Sequence, residues 1–373
     1  MKIAHINWIA LPTSGGDAVH IDALVAELRR LGATTEVLAG TRSAADARYV
    51  EALALASPPR DEQRALNELV AAAEGFDVVQ IHNPQFHRPA MIKRLVDRLL
   101  DQPRPPKVIH NMHAMSDDEE GWDVLRHRGL PIIAHSSYIA DEVRRRIPRA
   151  EVHELFLSLT LTRREYAFPP GSGALILQPT RLSKWKGSAI SLQAVLDLLD
   201  AGREDFTFYH AGSEQLIWPT GLDEALLARA APWQRRGRIH FIHYSVEQSW
   251  DAIQQADFVL HPTSDSGSHG EPFSLTTAQA IMLGKPVIAT DSGNLPILLG
   301  GYGPKQIIPT KNVDALRDAI ALWLDRGVPA PTEADRALGE SLRQRFLRSA
   351  RDHISLYERL QGSRAPEGPQ RTS

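Results

Sequence analysis

The chain has 373 residues, of which 43% are hydrophobic and 23% charged, a composition typical of soluble globular domains. At about 150 residues per domain, this length predicts two domains with additional segments. Lys and Arg number 42 and Asp and Glu 45, and the net charge of −3 argues against a general nucleic-acid-binding protein. The sequence has no cysteine, which excludes disulfides, thiolate metal sites and cysteine nucleophiles.

No apolar run approaches the roughly 18 residues that a membrane-spanning helix requires. Residues 1–12 combine one lysine with a short apolar run, but no small-residue cleavage site follows. We therefore interpret this segment as a buried strand rather than a signal peptide. These features predict a cytoplasmic protein that does not associate with membranes.

The first half alternates short apolar strands with helical patterns, which is typical of a parallel sheet built from βαβ units. A helix is expected at Asp17–Leu31, where apolar residues recur at helical spacing and Gly32 follows. The predicted strands of this half are Lys2–Ala10, Thr35–Ala39, Asp77–His82, Lys107–His113 and Pro131–His135.

A linker is predicted at Tyr166–Gly173, which holds two prolines and two glycines. The alternation then resumes, so two doubly wound α/β domains, residues 1–165 and 174–334, are expected to face each other across a cleft. A helix is predicted at 335–361, and the tail 362–373 is expected to be disordered. Strands are expected at Ala174–Gln178, Phe206–His210, Ile239–Ile242, Phe258–His261, Pro286–Ala289 and Gln306–Ile308, and helices at Lys186–Ala201, Val246–Ala256, Phe273–Leu283 and Val313–Arg326.

Candidate functional residues lie in loops that follow strands, because doubly wound sheets bind ligands at the carboxyl ends of their strands. Gly15 and Gly16 open the first helix, where the backbone can approach a phosphate, although a tight turn explains them equally well. Arg181 and Lys186 follow the first strand of the second domain, and two cations there suit a diphosphate. When these two residues are considered alone, an ordinary solvated loop is their simpler explanation.

The stretch from His261 to Ala280 is the most informative part of the sequence. A glycine-rich loop leads through Glu271 into a helix whose first turn is expected to hold Phe273, Ser274 and Leu275. The N–H groups of such a turn can hold a phosphate leaving group without a metal ion. Glu271 can accept hydrogen bonds from sugar hydroxyls, and compensation of the helix dipole is its alternative role.

His113 ends a predicted strand, and a histidine in an interdomain cleft can hold a sugar hydroxyl or a leaving group. The chain has 15 histidines, many of them in or near strands, so most are expected to be structural. The acidic residues Asp117, Asp118 and Glu119 follow His113 closely. A solvated face is their usual explanation, and an acceptor site for an amino-bearing ligand is the alternative.

Several cofactor signatures do not occur in the sequence. It contains no G-x-G-x-x-G, no P-loop, no Asp-x-Asp pair and no helical histidine pair with a metal-ligand glutamate. A nicotinamide dehydrogenase, a P-loop kinase and a zinc hydrolase therefore lose their best signals, and neither a cofactor nor a metal ion is expected.

Together these segments resemble the retaining GT-B glycosyltransferases of family GT4, over about residues 1–350. In the first domain the resemblance rests on four segments. They are the Gly15-Gly16 pair, the strand Asp77–His82 (D-V-V-Q-I-H), Asn111–His113 (N-M-H) and Ile133–Ser136 (I-A-H-S). In the family, the histidine that corresponds to His113 contacts the donor sugar.

The second domain resembles the family more closely. Thr180–Gly187 is similar to G-R-L-x-x-x-K-G, which implies that Arg181 and Lys186 bind the donor diphosphate. Arg238–Tyr244 is similar to R-V-x-F-x-G-Y, which implies that Tyr244 and Ser245 lie near the nucleobase. The other two matches are Gly270–Gln279, similar to the E-x7-E signature, and Pro286–Gly293, similar to P-V-I-A-T-x-x-G.

One departure concerns the ribose. Gln279 stands where the family has the second glutamate of E-x7-E, the residue that holds the ribose hydroxyls. A glutamine keeps a hydrogen bond but loses the charge, and a charged hydrogen bond contributes about 1.5–3 kcal/mol against about 1 kcal/mol for a neutral one.

The resemblance implies a retaining, metal-independent transfer of a sugar from a nucleotide-diphosphate donor to an acceptor. A small soluble acceptor is favoured over a lipid, because no basic membrane-docking helix is evident. The acidic cluster suggests an amino-bearing acceptor, such as an aminocyclitol in natural-product assembly. Two alternatives stay open: a nucleotide-sugar-binding protein that has lost catalysis, and a GT-B-like sugar-nucleotide epimerase.

Overall fold

The structure is a computed structural model that describes residues 1–11, 15–41, 47–54, 61–86, 88–116, 118–211, 222–264 and 270–362. Asp117 and residues 363–373, which form most of the predicted tail, lie outside these ranges. Gly362 ends the last helix. Within the described ranges, every helix is too short or too polar to cross a bilayer.

The first sheet has seven parallel strands in the described part of the chain. In chain order they are β1 (Lys2–Asn7), β2 (Thr34–Ala39), β3 (Ala47–Tyr49), β4 (Val78–His82), β5 (Lys107–Met112), β6 (Ile132–Ala134) and β7 (Val152–Glu154). Their spatial order is β3-β2-β1-β4-β5-β6-β7. The order reverses between β1 and β4, which places a ligand crevice at their carboxyl ends.

The second sheet has six parallel strands among the described residues. They are β8 (Ala174–Gln178), β9 (Phe206–Ala211), β10 (Ile239–Ile242), β11 (Phe258–His261), β12 (Val287–Thr290) and β13 (Lys305–Ile308). Their spatial order is β10-β9-β8-β11-β12-β13, so the reversal falls between β8 and β11. The expected fold class, two doubly wound α/β domains, is confirmed.

Helices cover the faces of both sheets. They are α1 (Gly16–Arg30), α2 (Glu62–Ala72), α3 (Pro89–Leu100), α4 (Glu119–Arg126), α5 (Ser137–Arg146), α6 (Ser188–Asp200), α7 (Glu224–Arg235), α8 (Val246–Gln255), α9 (Leu275–Met282), α10 (Leu295–Leu298), α11 (Val313–Arg326) and α12 (Glu333–Gly362). Short 3₁₀ turns occupy Glu51–Leu53, His127–Gly129 and Lys184–Lys186.

The last helix, α12, packs on both domains. Its Leu342 and Phe346 lie in a core of the second domain. Its Leu356 and Tyr357 lie in the core of the first domain beside β1 and α1. Between them, the buried Ser349 hydroxyl donates to the Phe156 carbonyl at 2.7 Å. A single element thus completes the cores of two domains.

The structure shifts several predicted boundaries. The first strand ends at Asn7 rather than Ala10. The helix expected from Lys186 begins at Ser188, after the 3₁₀ turn. The helix expected from Phe273 begins at Leu275, because the Ser274 hydroxyl accepts a hydrogen bond from the Thr277 N–H and so makes Ser274 the N-cap.

Several elements of the structure, including β3, β7, α7 and α10, had not been predicted. The edge strands β3 and β7 have three residues each, and none of these residues is fully buried. They therefore carry no apolar alternation by which a strand is recognised. Helix α7 contains Pro232 in its interior, a residue that usually ends a helical pattern.

Candidate active site

A cleft of about 600 Å³ lies between the two domains. The predicted site residues that line it come from both domains and from loops more than 100 residues apart in sequence. They are Gly16 and His113 from the first domain and Arg181, Lys186, Tyr244, Ser245, Glu271, Phe273, Ser274, Leu275 and Gln279 from the second.

The acidic residues predicted for the acceptor side do not line the cleft where the structure describes them. Asp118 caps α4, and its carboxylate accepts the Gly121 N–H at 2.7 Å. Glu119 is exposed and forms an ion pair with Arg126 at 2.8 Å. Their position at a helix start explains this arrangement, because acidic residues there stabilise the N-terminus. Asp117 lies outside the described residues.

Asp17, in the first turn of α1, is the described carboxylate that the first domain contributes to the cleft wall. Its Oδ2 lies 3.5 Å from the Asn7 amide nitrogen and 3.4 Å from the Asn83 amide nitrogen. At these distances both hydrogen bonds are weak. Next to it, Gly16 has open space where a Cβ would stand, so the backbone there is accessible from the cleft.

Arg181 lies in the loop after β8 and lines the cleft. Its Cζ is 5.4 Å from the ring centroid of Trp185, a cation–π arrangement. Burial lowers the pKa of the Arg181 guanidinium, and the negative charges of Asp17 and Glu271 act in the opposite direction. Arginine remains charged in proteins, so the cleft holds a desolvated cation on which two carboxylates act.

Lys186 and Glu271 form an ion pair in the same cleft. Lys186 Nζ lies 2.5 Å from Glu271 Oε2, and the Glu271 side chain is only 3% exposed. The Thr263 hydroxyl donates to the same oxygen at 3.2 Å. Burial by itself raises the pKa of Glu271, but Lys186, His261 and the Thr263 hydrogen bond outweigh it, so the pKa lies below its usual range. Glu271 is therefore ionised at neutral pH.

A hydrogen-bonded chain extends from this carboxylate to the start of α9. Since the single proton of the Thr263 hydroxyl goes to Glu271, Thr263 accepts from His261 Nδ1 at 2.9 Å. His261 Nε2 then accepts the Ser274 hydroxyl at 2.6 Å. Burial lowers the pKa of His261 to about 4, which is consistent with a neutral ring in this one tautomer. The chain links Glu271 to the N-cap of α9.

Thr263 and His261 were not singled out by the sequence. Both belong to the stretch His261–Ala280, but their polar character gave no indication of which neighbours they would contact. Their position at the carboxyl end of β11 was the available signal, because side chains there face the crevice of a doubly wound sheet.

The backbone of Glu271 is held by the loop after β12. The Asn294 N–H donates to the Glu271 carbonyl at 2.7 Å, and the Ser292 Oγ accepts the Glu271 N–H at 3.1 Å. Gly293 has a φ of +55°, and a Cβ on it would lie 2.4 Å from the Glu271 carbonyl oxygen. A glycine is therefore required at this position for two reasons, its conformation and this close approach.

The N-terminus of α9 opens into the cleft. Ser274 caps the helix, and Leu275 and Thr276 of the first turn line the cleft. The first N–H groups of a helix have no partner within it, and they suit a phosphate. Phe273 precedes the cap and packs edge-to-face on Phe156, with ring centroids 5.2 Å apart, so its side chain has a packing contact.

The predicted ribose and nucleobase residues lie together on the second-domain side. The Gln279 amide nitrogen donates to the Ser249 hydroxyl at 2.8 Å. Ser245 caps α8 in a capping box with Gln248. The Tyr244 hydroxyl is buried and has no hydrogen-bond partner among the described residues, and burial raises its pKa. A buried hydroxyl without a partner is costly unless a ligand or water satisfies it.

A hydrogen bond joins the domains beside Glu271. The Ser136 hydroxyl, at the start of α5, donates to the Pro272 carbonyl at 2.9 Å. The same hydroxyl accepts the Ile139 N–H at 3.3 Å as the cap of α5. The I-A-H-S segment of the first domain therefore contacts the loop that carries Glu271.

His113 and His135 line the first-domain side of the cleft, and the buried His20 of α1 lies beside them. Ring nitrogens of His20, His113 and His135 lie within 4.8 Å of one another, a grouping that a metal ion could use. However, the Ser158 N–H donates to His20 Nδ1 at 2.8 Å. Burial lowers the pKa of His20 well below its usual value, so the ring is neutral and its proton is on Nε2. His20 then has no free lone pair for a metal ion.

Part of the chain matches a known protein family. Residues 162–345 match the family model of glycosyl transferases group 1. No curated protein sequence matches the chain. A glycosyltransferase from Rickettsia africae ESF-5 superposes with a TM-score of 0.67 at 14% identity, over 96% of this chain and 98% of its own.

Two further solved structures are similar over almost the whole chain. Sucrose-phosphate synthase from Thermosynechococcus elongatus has a TM-score of 0.69 at 16% identity and covers 96% of this chain and 98% of its own. HepE of Anabaena, solved in complex with UDP and glucose, has a TM-score of 0.70 at 15% identity, with coverage of 97% and 100%. At these identities, the similarity shows a shared fold.

Proposed function

Because the chain is a GT4 glycosyltransferase with a GT-B fold, we propose that it transfers a sugar from a nucleotide-diphosphate donor to a small-molecule acceptor, with retention of the anomeric configuration. The observation that carries the proposal is the meeting of Arg181, Lys186 and the N-terminus of α9 in one cleft beside the buried Glu271. Two cations and a helix N-terminus suit the two phosphates of such a donor.

The proposed reaction needs stabilisation of the departing nucleoside diphosphate, on which negative charge develops as the glycosidic bond breaks. Arg181 offers a planar guanidinium that can contact two oxygens, and Lys186 offers a point charge. The N–H groups at the start of α9 add preorganised donors. These groups support a metal-independent mechanism, which predicts full activity in the presence of EDTA.

Donor binding is proposed to divide between the domains. Glu271 and His113 orient the donor sugar, and Gln279 holds the ribose. Tyr244, whose buried hydroxyl lacks a partner among the described residues, and Ser245 lie where the nucleobase would bind. Because HepE of Anabaena was solved with UDP and with UDP-glucose, UDP-glucose is the first donor to test.

The acceptor is proposed to bind on the first-domain wall of the cleft. The described part of this wall is largely apolar and includes Ile9, Phe86 and Met115, and the Phe86 side chain is 40% exposed. Asp17 is the carboxylate on the described part of this wall, so an amino-bearing acceptor would pair with Asp17 rather than with Asp118 or Glu119.

A thermal-shift panel tests the proposal directly. UDP, GDP, ADP and dTDP, free and as common sugar conjugates, would be compared on the wild type and on Arg181→Ala. A ligand at 100 times its dissociation constant adds about 2.7 kcal/mol of stability. One nucleotide is expected to stabilise the wild type and not Arg181→Ala. Arg317→Ala, which changes a half-buried arginine of α11 outside the cleft, serves as the matched control.

Two results would contradict the proposal. Stabilisation by no nucleotide would reject the donor site, and equal stabilisation of wild type and Arg181→Ala would reject the role of Arg181. Product analysis then separates the remaining classes: a glycosylated acceptor supports a transferase, an epimerised donor an epimerase, and binding without turnover a protein that has lost catalysis.

A further inference from the structure

Three histidine rings form a hydrogen-bonded chain that leads from the interior to the cleft. His5 Nδ1 lies 3.1 Å from His82 Nε2, and His82 Nδ1 lies 2.9 Å from His113 Nε2. His5 and His82 are fully buried, while His113 lines the cleft. Burial lowers the pKa of all three, to about 3 for His5 and about 4 for His113. At neutral pH each ring therefore carries one proton.

Only two proton arrangements satisfy both hydrogen bonds. In the first, every ring carries its proton on Nδ1, so that His5 donates to His82 and His82 donates to His113. In the second, every ring carries its proton on Nε2 and both hydrogen bonds run the other way. The tautomer of His5, which does not line the cleft, is thus coupled to whether Nδ1 of the cleft-lining His113 is a donor or an acceptor.

The inner end of the chain favours the first arrangement. His5 Nε2 is buried and has no hydrogen-bond partner in the described part of the chain. In the second arrangement this atom would be a buried N–H without an acceptor, and such orphaned donors are rarer in proteins than unsatisfied acceptors. In the first arrangement it is only a lone pair.

The charges at the two ends act in the same direction. Burial is the largest cause that lowers the pKa of His5, followed by His353 and then by the guanidinium of Arg29. At the other end, the carboxylate of Asp17 raises the pKa of His113 against the effect of burial. A cation at one end and an anion at the other favour N–H bonds that point from His5 toward the cleft.

We propose that His5 and His82 are positioning residues, which hold His113 as the Nδ1–H tautomer so that it donates a hydrogen bond to an oxygen of the donor sugar. The tautomer follows from the geometry alone, while the role of the sugar rests on the proposed function. In this arrangement His113 is a donor and not a base, because its Nε2 lone pair accepts from His82.

Nitrogen-15 NMR of the full-length protein with labelled histidine rings tests the tautomer. Long-range proton–nitrogen correlations distinguish Nδ1–H from Nε2–H, and the signals are assigned from their loss in His5→Leu, His82→Leu and His113→Asn. We expect all three rings as Nδ1–H. Detection of His82 and His113 as Nε2–H overturns the proposal, whether or not the protein binds a nucleotide.

A binding experiment tests the consequence for the donor sugar. The probes are the nucleoside diphosphate identified by the thermal-shift panel and its glucose conjugate. His82→Leu is expected to weaken binding of the conjugate about fivefold, the effect of one neutral hydrogen bond, and to leave binding of the free diphosphate within about twofold. His82→Asn, whose amide can still donate to His113 Nε2, is expected to restore most of the lost affinity.

His110→Leu is the matched control. Like His82, His110 is a buried histidine, and it lies in β5. His110 pairs with Ile81, whereas the neighbouring Asn111 pairs with His82, so His110 lies on the opposite face of the sheet from His82. We expect it to leave the affinity ratio of the two probes unchanged. If His82→Leu also leaves this ratio unchanged, or if His110→Leu changes it equally, the positioning role is wrong.

Discussion

Lys186 and Glu271 lie 85 residues apart in sequence, yet Lys186 Nζ is 2.5 Å from Glu271 Oε2. Lys186, which is predicted to bind the diphosphate, and Glu271, which is predicted to orient the sugar, therefore form one ion pair. A phosphate oxygen bound by Lys186 would contact the same ammonium group that Glu271 contacts. The pair couples the strength of diphosphate binding to the position of the carboxylate.

Glu271→Gln is expected to strengthen diphosphate binding and to reduce turnover. Removal of the negative charge leaves the ammonium of Lys186 to the phosphate, so we expect about fivefold tighter binding of the nucleoside diphosphate. Loss of the oriented carboxylate is expected to lower kcat about 100-fold. Calorimetric titration and initial rates measure the two effects. Weaker diphosphate binding in this variant would show that the ion pair does not compete with the ligand.

Thr263→Val is expected to reduce both stability and turnover. The variant keeps the shape of the side chain but leaves the His261 N–H without its acceptor and removes one donor from Glu271. A buried polar group left unpaired costs about 1–3 kcal/mol, which urea unfolding measures. We expect kcat to fall while nucleoside-diphosphate affinity stays within about twofold. Thr263→Ser retains the hydroxyl, so a similar loss in that variant would contradict the hydrogen-bonded chain.

Gln279→Glu is expected to tighten ribose binding. A charged hydrogen bond exceeds a neutral one by about 1 kcal/mol, which is about fivefold in affinity. The carboxylate cannot donate to Ser249, whose hydroxyl now donates to the Val246 carbonyl at 2.6 Å and can turn toward the new charge. The ribonucleoside diphosphate should gain affinity and its 2′,3′-dideoxy analogue should not. An equal change for both ligands would remove Gln279 from the ribose site.

His110 is expected to make the protein less stable in acid. Burial lowers its pKa to about 3, whereas an unfolded histidine titrates near 6.5, so the unfolded state binds more protons between these values. The stability contribution is therefore complete above about pH 6.5 and is lost as the pH falls toward 3. Each such histidine lowers the free energy of unfolding by up to about 1.4 kcal/mol per pH unit.

His110→Leu isolates this contribution. Both ring nitrogens of His110 are buried without a partner among the described residues, so an apolar side chain is tolerated at neutral pH. Between pH 6 and 4, its free energy of unfolding should fall less steeply than that of the wild type. Parallel curves in urea unfolding at several pH values would mean that His110 is already protonated in the folded protein.

The sequence was most informative where strands run into loops. Arg181, Lys186 and Glu271 were identified because each follows a strand in an order typical of doubly wound domains, and all three line one cleft. Their mutual contacts could not be predicted, because an ion pair between two loops depends on the spacing of β8 and β11, which neighbour each other only in the folded sheet.

The histidine chain could be predicted from the sequence if the strand order were assumed. His5 pairs with Gln80, and His82 pairs with Asn111. Because side chains alternate along a strand, His5, His82 and His113 share one face of the sheet. The fifteen histidines were too many to distinguish without this register. Asp118 and Glu119 could not be assigned from the sequence, because helix capping and ligand binding favour the same residue types.

The first domain depends on residues that are synthesised after the whole of the second sheet. Leu356, Tyr357 and Leu360 of α12 share a core with Ile3 of β1. During translation, this core stays open until α12 has left the ribosome, whereas the second domain has its own sheet complete at β13. The usual order, in which the N-terminal domain folds first, is therefore reversed for the final packing step. Ribosome-bound chains that stop before α12 should expose the first domain to proteolysis.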